Sequence, residues 1–238
     1  MQLSDRLLAV TKLVTPGNRV ADVGCDHAYT SIFLVKQGIS PYVIAMDVNQ
    51  GPIDRARENI IRYGQKAYID VRKSNGLEKL EPGEADTVLI AGMGGRLTLQ
   101  ILSDYPKVTA SIRELVLQPQ SEIHLVRRTL QDMGFLIVKE NMLKEDGKYY
   151  VMMRAVPKVL IEDECPYVLT EDEHYYYGRQ LLEQRNSVLV EYLEWEKELS
   201  ENIVSTLSKE TTENADQRKQ EIKDKLDLIK KGLGYYRY

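Results

Sequence analysis

Val20-Ala21-Asp22-Val23-Gly24-Cys25-Asp26-His27-Ala28 runs from an apolar, β-branched segment into a tight charged turn, and a helical pattern follows from Ser31. A strand that enters a helix through such a turn is the opening unit of a doubly wound sheet. Ligands of such sheets bind at the turns that follow the strands.

Outward from this turn the same texture repeats. Strands are expected at Arg19–Val23, Tyr42–Asp47, Ala67–Val71, Asp86–Ala91 and Glu114–Gln118, then Phe135–Met142 and Tyr149–Val156. Helical patterns occupy Ser31–Gln37, Pro52–Tyr63, Arg96–Ser103 and Ile123–Met133, and an amphipathic run over Leu3–Val14 precedes the first strand. Nothing helical separates the last two strands, and Glu145-Asp146-Gly147 carries hairpin-turn chemistry. The expectation is an α/β fold: a doubly wound, seven-stranded, Rossmann-like sheet ending in an antiparallel pair.

The texture changes after Pro157. An acidic connector, Glu162-Asp163-Glu164, leads to Pro166, and two long charged helical patterns follow. One steps through Val188, Tyr192, Trp195, Leu199 and Ile203, the other through Ile222, Leu226, Ile229 and Leu233. Steps of 3 and 4 keep one apolar seam on each helix. With the polar stretch Thr211-Thr212-Glu213-Asn214 between them, they read as a C-terminal antiparallel helical hairpin, a short coiled coil. The domains are expected at 1–158 and 159–238.

Composition narrows the function classes. With 238 residues, 43 % hydrophobic and 29 % charged, this is ordinary globular composition. Two cysteines and three histidines are too few for a disulfide scaffold or a four-ligand zinc site, so no metal is expected. No apolar run approaches the roughly 18 residues of a membrane span, and the Met1 end lacks a signal-peptide layout; a cytoplasmic protein is expected. Residues 1–159 carry a net charge of +3 and residues 160–238 a net charge of −7. That permits a nucleic-acid partner without demanding one.

The turn after the first strand chooses among cofactors. A dinucleotide site wants Gly-x-Gly-x-x-Gly, so that amides can approach a pyrophosphate; here one glycine, Gly24, stands among Asp22, Asp26 and His27. Such a turn repels phosphate and suits the ammonium and sulfonium of S-adenosylmethionine. Asp47 ends the second strand, where a carboxylate accepts ribose hydroxyls. Asn75 and Gly76, after the third strand, can meet an adenine edge, and Gly92-Met93-Gly94-Gly95, after the fourth, offers close backbone approach with Met93 as a soft wall. Gln118 and Gln120 complete the rim with carboxamides. Each feature also has a structural reading: a tight turn, a packing glycine, a histidine that satisfies a helix start. Cys25 reads as a small packing residue.

Asp22-Val-Gly-Cys-Asp-His-Ala-Tyr29, Ala91-Gly-Met-Gly-Gly95, Leu117-Gln-Pro-Gln120 and Glu145-Asp-Gly-Lys-Tyr-Tyr150 occur in family order, after Leu3-Ser-Asp-Arg-Leu7. With them, the chain resembles the bacterial tRNA adenine-N1 methyltransferases acting at position 22. The resemblance implies methyl transfer from S-adenosylmethionine to N1 of an adenine in tRNA. It points to Asp26, His27, Tyr29, Gly92 and Gln118 around the reacting base, and to Asp22, Gly24, Asp26, His27, Asp47, Asn75, Gly76, Gly92, Met93 and Gly94 around the cofactor. For tRNA the candidates are Arg6, Tyr149, Lys223, Lys225 and Lys230; a solvated surface is the rival reading for Arg6 and the lysines. No obligatory protein partner is expected. The alternatives are a methyltransferase for another RNA or DNA base and a non-catalytic RNA-binding scaffold; Asn-Pro-Pro-Tyr, frequent in exocyclic-amino methylases, is absent after the fourth strand.

Overall fold

A computed structural model describes residues 3–209 and 212–237. Thr211, in the polar stretch between the two long helices, lies outside the described residues. The chain divides into two compact units, Met1–Val168 and Leu169–Tyr238. The first reaches ten residues past the expected boundary. Its connector stays attached because Lys158 donates its backbone N–H to Gly134 O (2.8 Å) and pairs through Nζ with Glu164 (2.7 Å).

The first unit is built on seven strands: β1 (Val20–Val23), β2 (Val43–Asp47), β3 (Ile69–Lys73), β4 (Thr87–Met93), β5 (Glu114–Pro119), β6 (Phe135–Glu145) and β7 (Lys148–Pro157). Their order is β3-β2-β1-β4-β5-β7-β6. The first five pair in parallel, and β7 runs antiparallel to both β5 and β6. Glu145 and Lys148 face each other across a two-residue turn, with Asp146 and Gly147 both at positive φ, the geometry whose twist suits a hairpin.

Helices α1 (Asp5–Thr11), α2 (Tyr29–Lys36), α3 (Gln50–Arg62), α4 (Gly95–Asp104), α5 (Pro106–Ser111) and α6 (Ile123–Asp132) cover the sheet. Side chains alternate across a strand, so successive residues serve opposite faces. Val20, Val43, Ala45, Leu89, Val116 and Met152 pack with Val10 of α1, Ile32 and Leu34 of α2, and Ala56 and Ile60 of α3 in one core. The helix α5 was not expected; its Pro106 sits at the first turn, where a missing N–H costs nothing.

Sheet order reverses between β1 and β4: the chain moves outward to β2 and β3, then returns to the other side of β1. That switch point opens a crevice beyond the carboxyl ends of these two strands. A register shift between Ala91 and Met93 places Gly92 (φ +84°) in a bulge there, re-aiming the end of β4 towards the crevice.

The second unit contains a π-helical turn over His174–Gly178, then α7 (Arg179–Glu183), α8 (Ser187–Leu207) and α9 (Glu213–Gly234). The long helices are antiparallel: Lys225 of α9 pairs with Glu196 of α8 (2.7 Å), and Tyr236, beyond α9, donates its hydroxyl hydrogen to Asn186 O ahead of α8 (2.9 Å). The α9 seam holds at Ile222, Leu226 and Ile229, with Gly232 buried beside the half-buried Leu233. The α8 seam does not. Leu189, Leu193, Glu196 and Ser200 are buried, whereas Trp195 is 51 % and Leu199 45 % exposed.

Candidate active site

The turn after β1 is held by two backbone bonds and three positive φ angles. Gly24 and Cys25 donate N–H groups to Met46 O (2.8 and 3.0 Å), which locks the turn to β2. Gly24, Asp26 and Ala28 then adopt φ of +75°, +44° and +56°, reversing the chain into α2. At Gly24 the conformation is costly for any residue with a β-carbon, and the Met93 side chain already fills the space where that carbon would stand.

Asp22 is buried at the end of β1 and accepts a hydrogen bond from Ser31 Oγ (2.6 Å). Burial pushes its carboxyl up to about 6, a rise that the Ser31 hydrogen bond opposes. No cation pairs with it among the described residues. Asp26 is exposed and paired with Arg55 Nη2 of α3 at 2.8 Å, and His27 Nε2 lies 3.5 Å from its other oxygen. The His27 ring stacks on Tyr29 (centroids 5.5 Å, planes 13° apart), while Asn59 donates to His27 O (3.0 Å). Burial pushes the Cys25 thiol up, with Asp22 next in effect, which leaves it inert packing.

Two clefts meet at Gly24 and Ala91. One, of about 230 Å³, is lined by Arg6, Asp22, Asp26, His27, Tyr29 and Thr30 among others. The other, of about 280 Å³, is lined by Asp47, Val48, Asn75, Gly76, Met93 and Ile101 among others. In the second, Asp47 Oδ1 accepts the Asn49 N–H (2.9 Å), a local turn that fixes the carboxylate and leaves Oδ2 without a hydrogen-bond partner among the described residues. Ser74 Oγ bonds Gly76 O (2.9 Å) and so shapes the turn that presents Asn75.

Arg6 is the link between the first cleft and the remaining motifs. Its Nη1 donates to Gln118 Oε1 (2.6 Å), its guanidinium lies over the Tyr150 ring (5.4 Å to the centroid), and its backbone N–H reaches Glu145 Oε1 (3.1 Å). Gly92 lies alongside: a β-carbon built there would stand 3.8 Å from both Arg6 Nη1 and Gln120 Nε2.

The structure therefore gathers Asp22, Gly24, Asp26, His27, Tyr29 and Arg6 around one cleft, and Asp47, Asn75, Gly76, Gly92 and Met93 around its neighbour. Gly94, expected at the cofactor, caps α4 just beyond Met93. Two expected residues stand elsewhere. Gln118 is fully buried, and its side-chain oxygen accepts from Arg6 Nη1. Tyr149 carries Lys144 over its ring (5.0 Å), and strand alternation makes Tyr150 the residue beneath Arg6. Sequence reasoning also missed Ser31, Arg55 and Glu145, each of which touches the site through one specific bond and leaves no periodic trace. Lys223, Lys225 and Lys230 all belong to α9 in the second unit.

This donor set fits S-adenosylmethionine. An uncompensated buried carboxylate, Asp22, suits its ammonium; Asp47 retains an oxygen for a ribose hydroxyl; the two connected clefts separate a charged end from an adenosine end. Among the described residues, no three His, Cys, Asp or Glu side chains are grouped to hold a metal ion.

The family model described as "Methyltransferase domain" matches residues 3–153. The tRNA (adenine(22)-N(1))-methyltransferase of Bacillus subtilis is 30 % identical over 99 % of this chain and 98 % of its own. A Streptococcus pneumoniae structure, a putative tRNA (m1A22) methyltransferase in complex with S-adenosyl-L-methionine, superposes with a TM-score of 0.84 at 33 % identity, covering 98 % of this chain and 100 % of that one. The M. capricolum TrmK structure with S-adenosyl-homocysteine gives 0.83 at 27 % identity, covering both chains in full. Likeness along the whole length, second unit included, distinguishes this relationship from a shared methyltransferase core: the chain belongs to the tRNA (adenine(22)-N1)-methyltransferase family.

Proposed function

We propose that this protein transfers a methyl group from S-adenosylmethionine to N1 of adenine 22 in tRNA. The observation that carries the reading is the acidic turn after β1: Asp22 buried without a cation and Asp26 at the cleft mouth, where a phosphate-bearing cofactor would be repelled. Bound S-adenosylmethionine supplies an electrophilic methyl on sulfur. The protein's task is then geometric. N1 of adenine keeps an in-plane lone pair at neutral pH, so alignment of N1 with the methyl accounts for most of the demand on the enzyme.

N1 lies on the pairing edge, so the adenine must leave its pair and enter the cleft. The stacked His27 and Tyr29 rings give it an apolar flank, and the Gly92 bulge lets backbone approach its edge. Methylation makes the base cationic, and Asp26 stands where a carboxylate lowers that cost. Asp26 or His27 can then accept the N6 proton. Gln118 contributes through Arg6, and Tyr149 is proposed to meet the tRNA from the hairpin, outside both clefts.

The second unit, which makes up most of the expected 159–238 domain, is proposed to hold the tRNA backbone, chiefly through lysines of α9. The proposed site of action is the cytoplasm, on free tRNA, with no obligatory protein partner and no metal required. No helix among the described residues is long and apolar enough to cross a membrane.

The test uses unmodified tRNA, labelled S-adenosylmethionine and reverse-transcription arrest. Label incorporation with a stop at position 22, lost when adenine 22 is replaced by guanine, supports the reading. Label with no stop there counts against it.

A further inference from the structure

We propose that Glu145 is a positioning residue for the methyl transfer, acting through Arg6 with Tyr150 as its support; this rests on the function proposed above. The first N–H groups of a helix have no partner within it. In α1, Ser4 Oγ takes the N–H of Leu7 (3.3 Å) and Ser4 O that of Leu8 (2.9 Å), while the N–H of Arg6 is taken from 139 residues away by the carboxylate of Glu145 (3.1 Å). The end of β6 thus fixes the start of α1. Three residues beyond the tight turn that follows, β7 places the Tyr150 ring beneath the Arg6 guanidinium, and buried Gln118 holds Nη1.

Three elements distant in sequence therefore set one side chain, and one hairpin supplies two of the three constraints. Arg6 lines the cleft, is half-buried, and uses only one of its five N–H donors among the described residues. The free donors suit an oxyanion. A guanidinium against the base would oppose the positive charge that methylation creates, so Arg6 grips the phosphate of the target nucleotide, and Glu145 determines where that phosphate sits.

Misplacing such a contact by about 1 Å can cost up to about a hundredfold in rate. Glu145→Ala is expected to lower kcat/KM for tRNA about ten- to a hundredfold, with S-adenosylmethionine affinity unchanged by calorimetry. Glu145→Gln keeps an oxygen acceptor and restores most of the loss. Because Glu145 acts through Arg6, the double variant Arg6→Ala/Glu145→Ala is no slower than Arg6→Ala alone; a role in general folding would make the two losses multiply. If Glu145→Ala fails to fold, Tyr150→Leu enters the same cycle with the same expectation. Parental activity from Glu145→Ala, or multiplying losses, overturns the proposal while leaving the function intact. A parent enzyme that does not methylate tRNA overturns the function itself and this inference with it.

Discussion

The Met93 methyl rests on the α-carbon face of Gly24, filling the place of a β-carbon. This packing joins the turn after β1 to the bulged end of β4 and stands where the two clefts meet. Gly24→Ala therefore meets one main penalty, a φ of +75°, and must also displace the flexible end of the Met93 side chain. The backbone strain alone costs about 1–3 kcal/mol. The variant is expected to melt several degrees lower and to bind S-adenosylmethionine at least tenfold more weakly. Adding Met93→Ala removes the need for that displacement and leaves the strain, so recovery by calorimetry is expected to be partial; full recovery would show that backbone conformation contributes nothing.

Asp47 tests the adenosine end independently. Its Oδ1 is committed to the Asn49 N–H, so one oxygen is left for a ribose hydroxyl. Asp47→Ala is expected to weaken cofactor binding by about 1.5–3 kcal/mol, the range for a charge-assisted hydrogen bond. Asp47→Asn retains an acceptor and is expected to lose less. Equal affinity in parent and alanine variant would remove Asp47 from the site.

What the sequence made legible, and what it hid, divides along physical lines. Strand ends and their turn residues are readable because a parallel sheet writes apolar runs and polar turns in strict order, so the places of Asp22, Asp47 and Gly92 at strand ends beside the clefts are legible. Parity in the hairpin is not: Tyr149 and Tyr150 are adjacent aromatics, and only the register against Leu143 and Lys144 decides which one faces Arg6. The seam of α8 misled for a different reason. Apolar residues at Val188, Tyr192, Trp195, Leu199 and Ile203 outcompete the true inner row on pattern, because that row includes Glu196 and Ser200. Glu196 is tolerated there by the charge of Lys225, and Gly232 gives Leu193 room to approach α9. A one-helix pattern cannot contain information held by its partner.

Asp22 gives the apo protein a distinct pH dependence. Its carboxyl titrates near 6 in the fold, above the ordinary 3.8, because burial penalises the ionised form. Between about pH 4 and 6 the folded state therefore holds more protons than the unfolded state, and stability falls as pH rises through that window. Above pH 6 a shift of this size corresponds to a standing cost of ~3 kcal/mol. Asp22→Asn is expected to melt higher than the parent at pH 8, to converge with it near pH 4, and to lose cofactor affinity. In the parent, S-adenosylmethionine binding is expected to tighten as pH rises through 6, since the cationic ligand prefers the ionised carboxylate. A pH-independent difference in melting temperature between parent and variant would refute the assignment.

The lysines of α9 separate into two kinds. Lys225 bridges to Glu196, a carboxylate only 8 % exposed, so Lys225→Ala leaves a buried acceptor without its partner, at a cost of about 1–3 kcal/mol. Lys223 and Lys230 are exposed and seven residues apart, hence on one stripe of the helix; Lys230 pairs with Asp227 at 3.0 Å, and Lys223 has no partner among the described residues. An exposed i,i+3 pair of this kind contributes little to stability. Lys225→Ala is therefore expected to lower the melting temperature and to change tRNA affinity mainly through that destabilisation. Lys223→Ala/Lys230→Ala is expected to melt like the parent while raising the tRNA KM, and to reduce the slope of log affinity against log salt by about one for each phosphate no longer neutralised. Melting curves and salt titrations of the two variants measure both effects. The same salt slope in the double variant and the parent would move the tRNA backbone off this stripe and leave α9 a purely structural partner for α8.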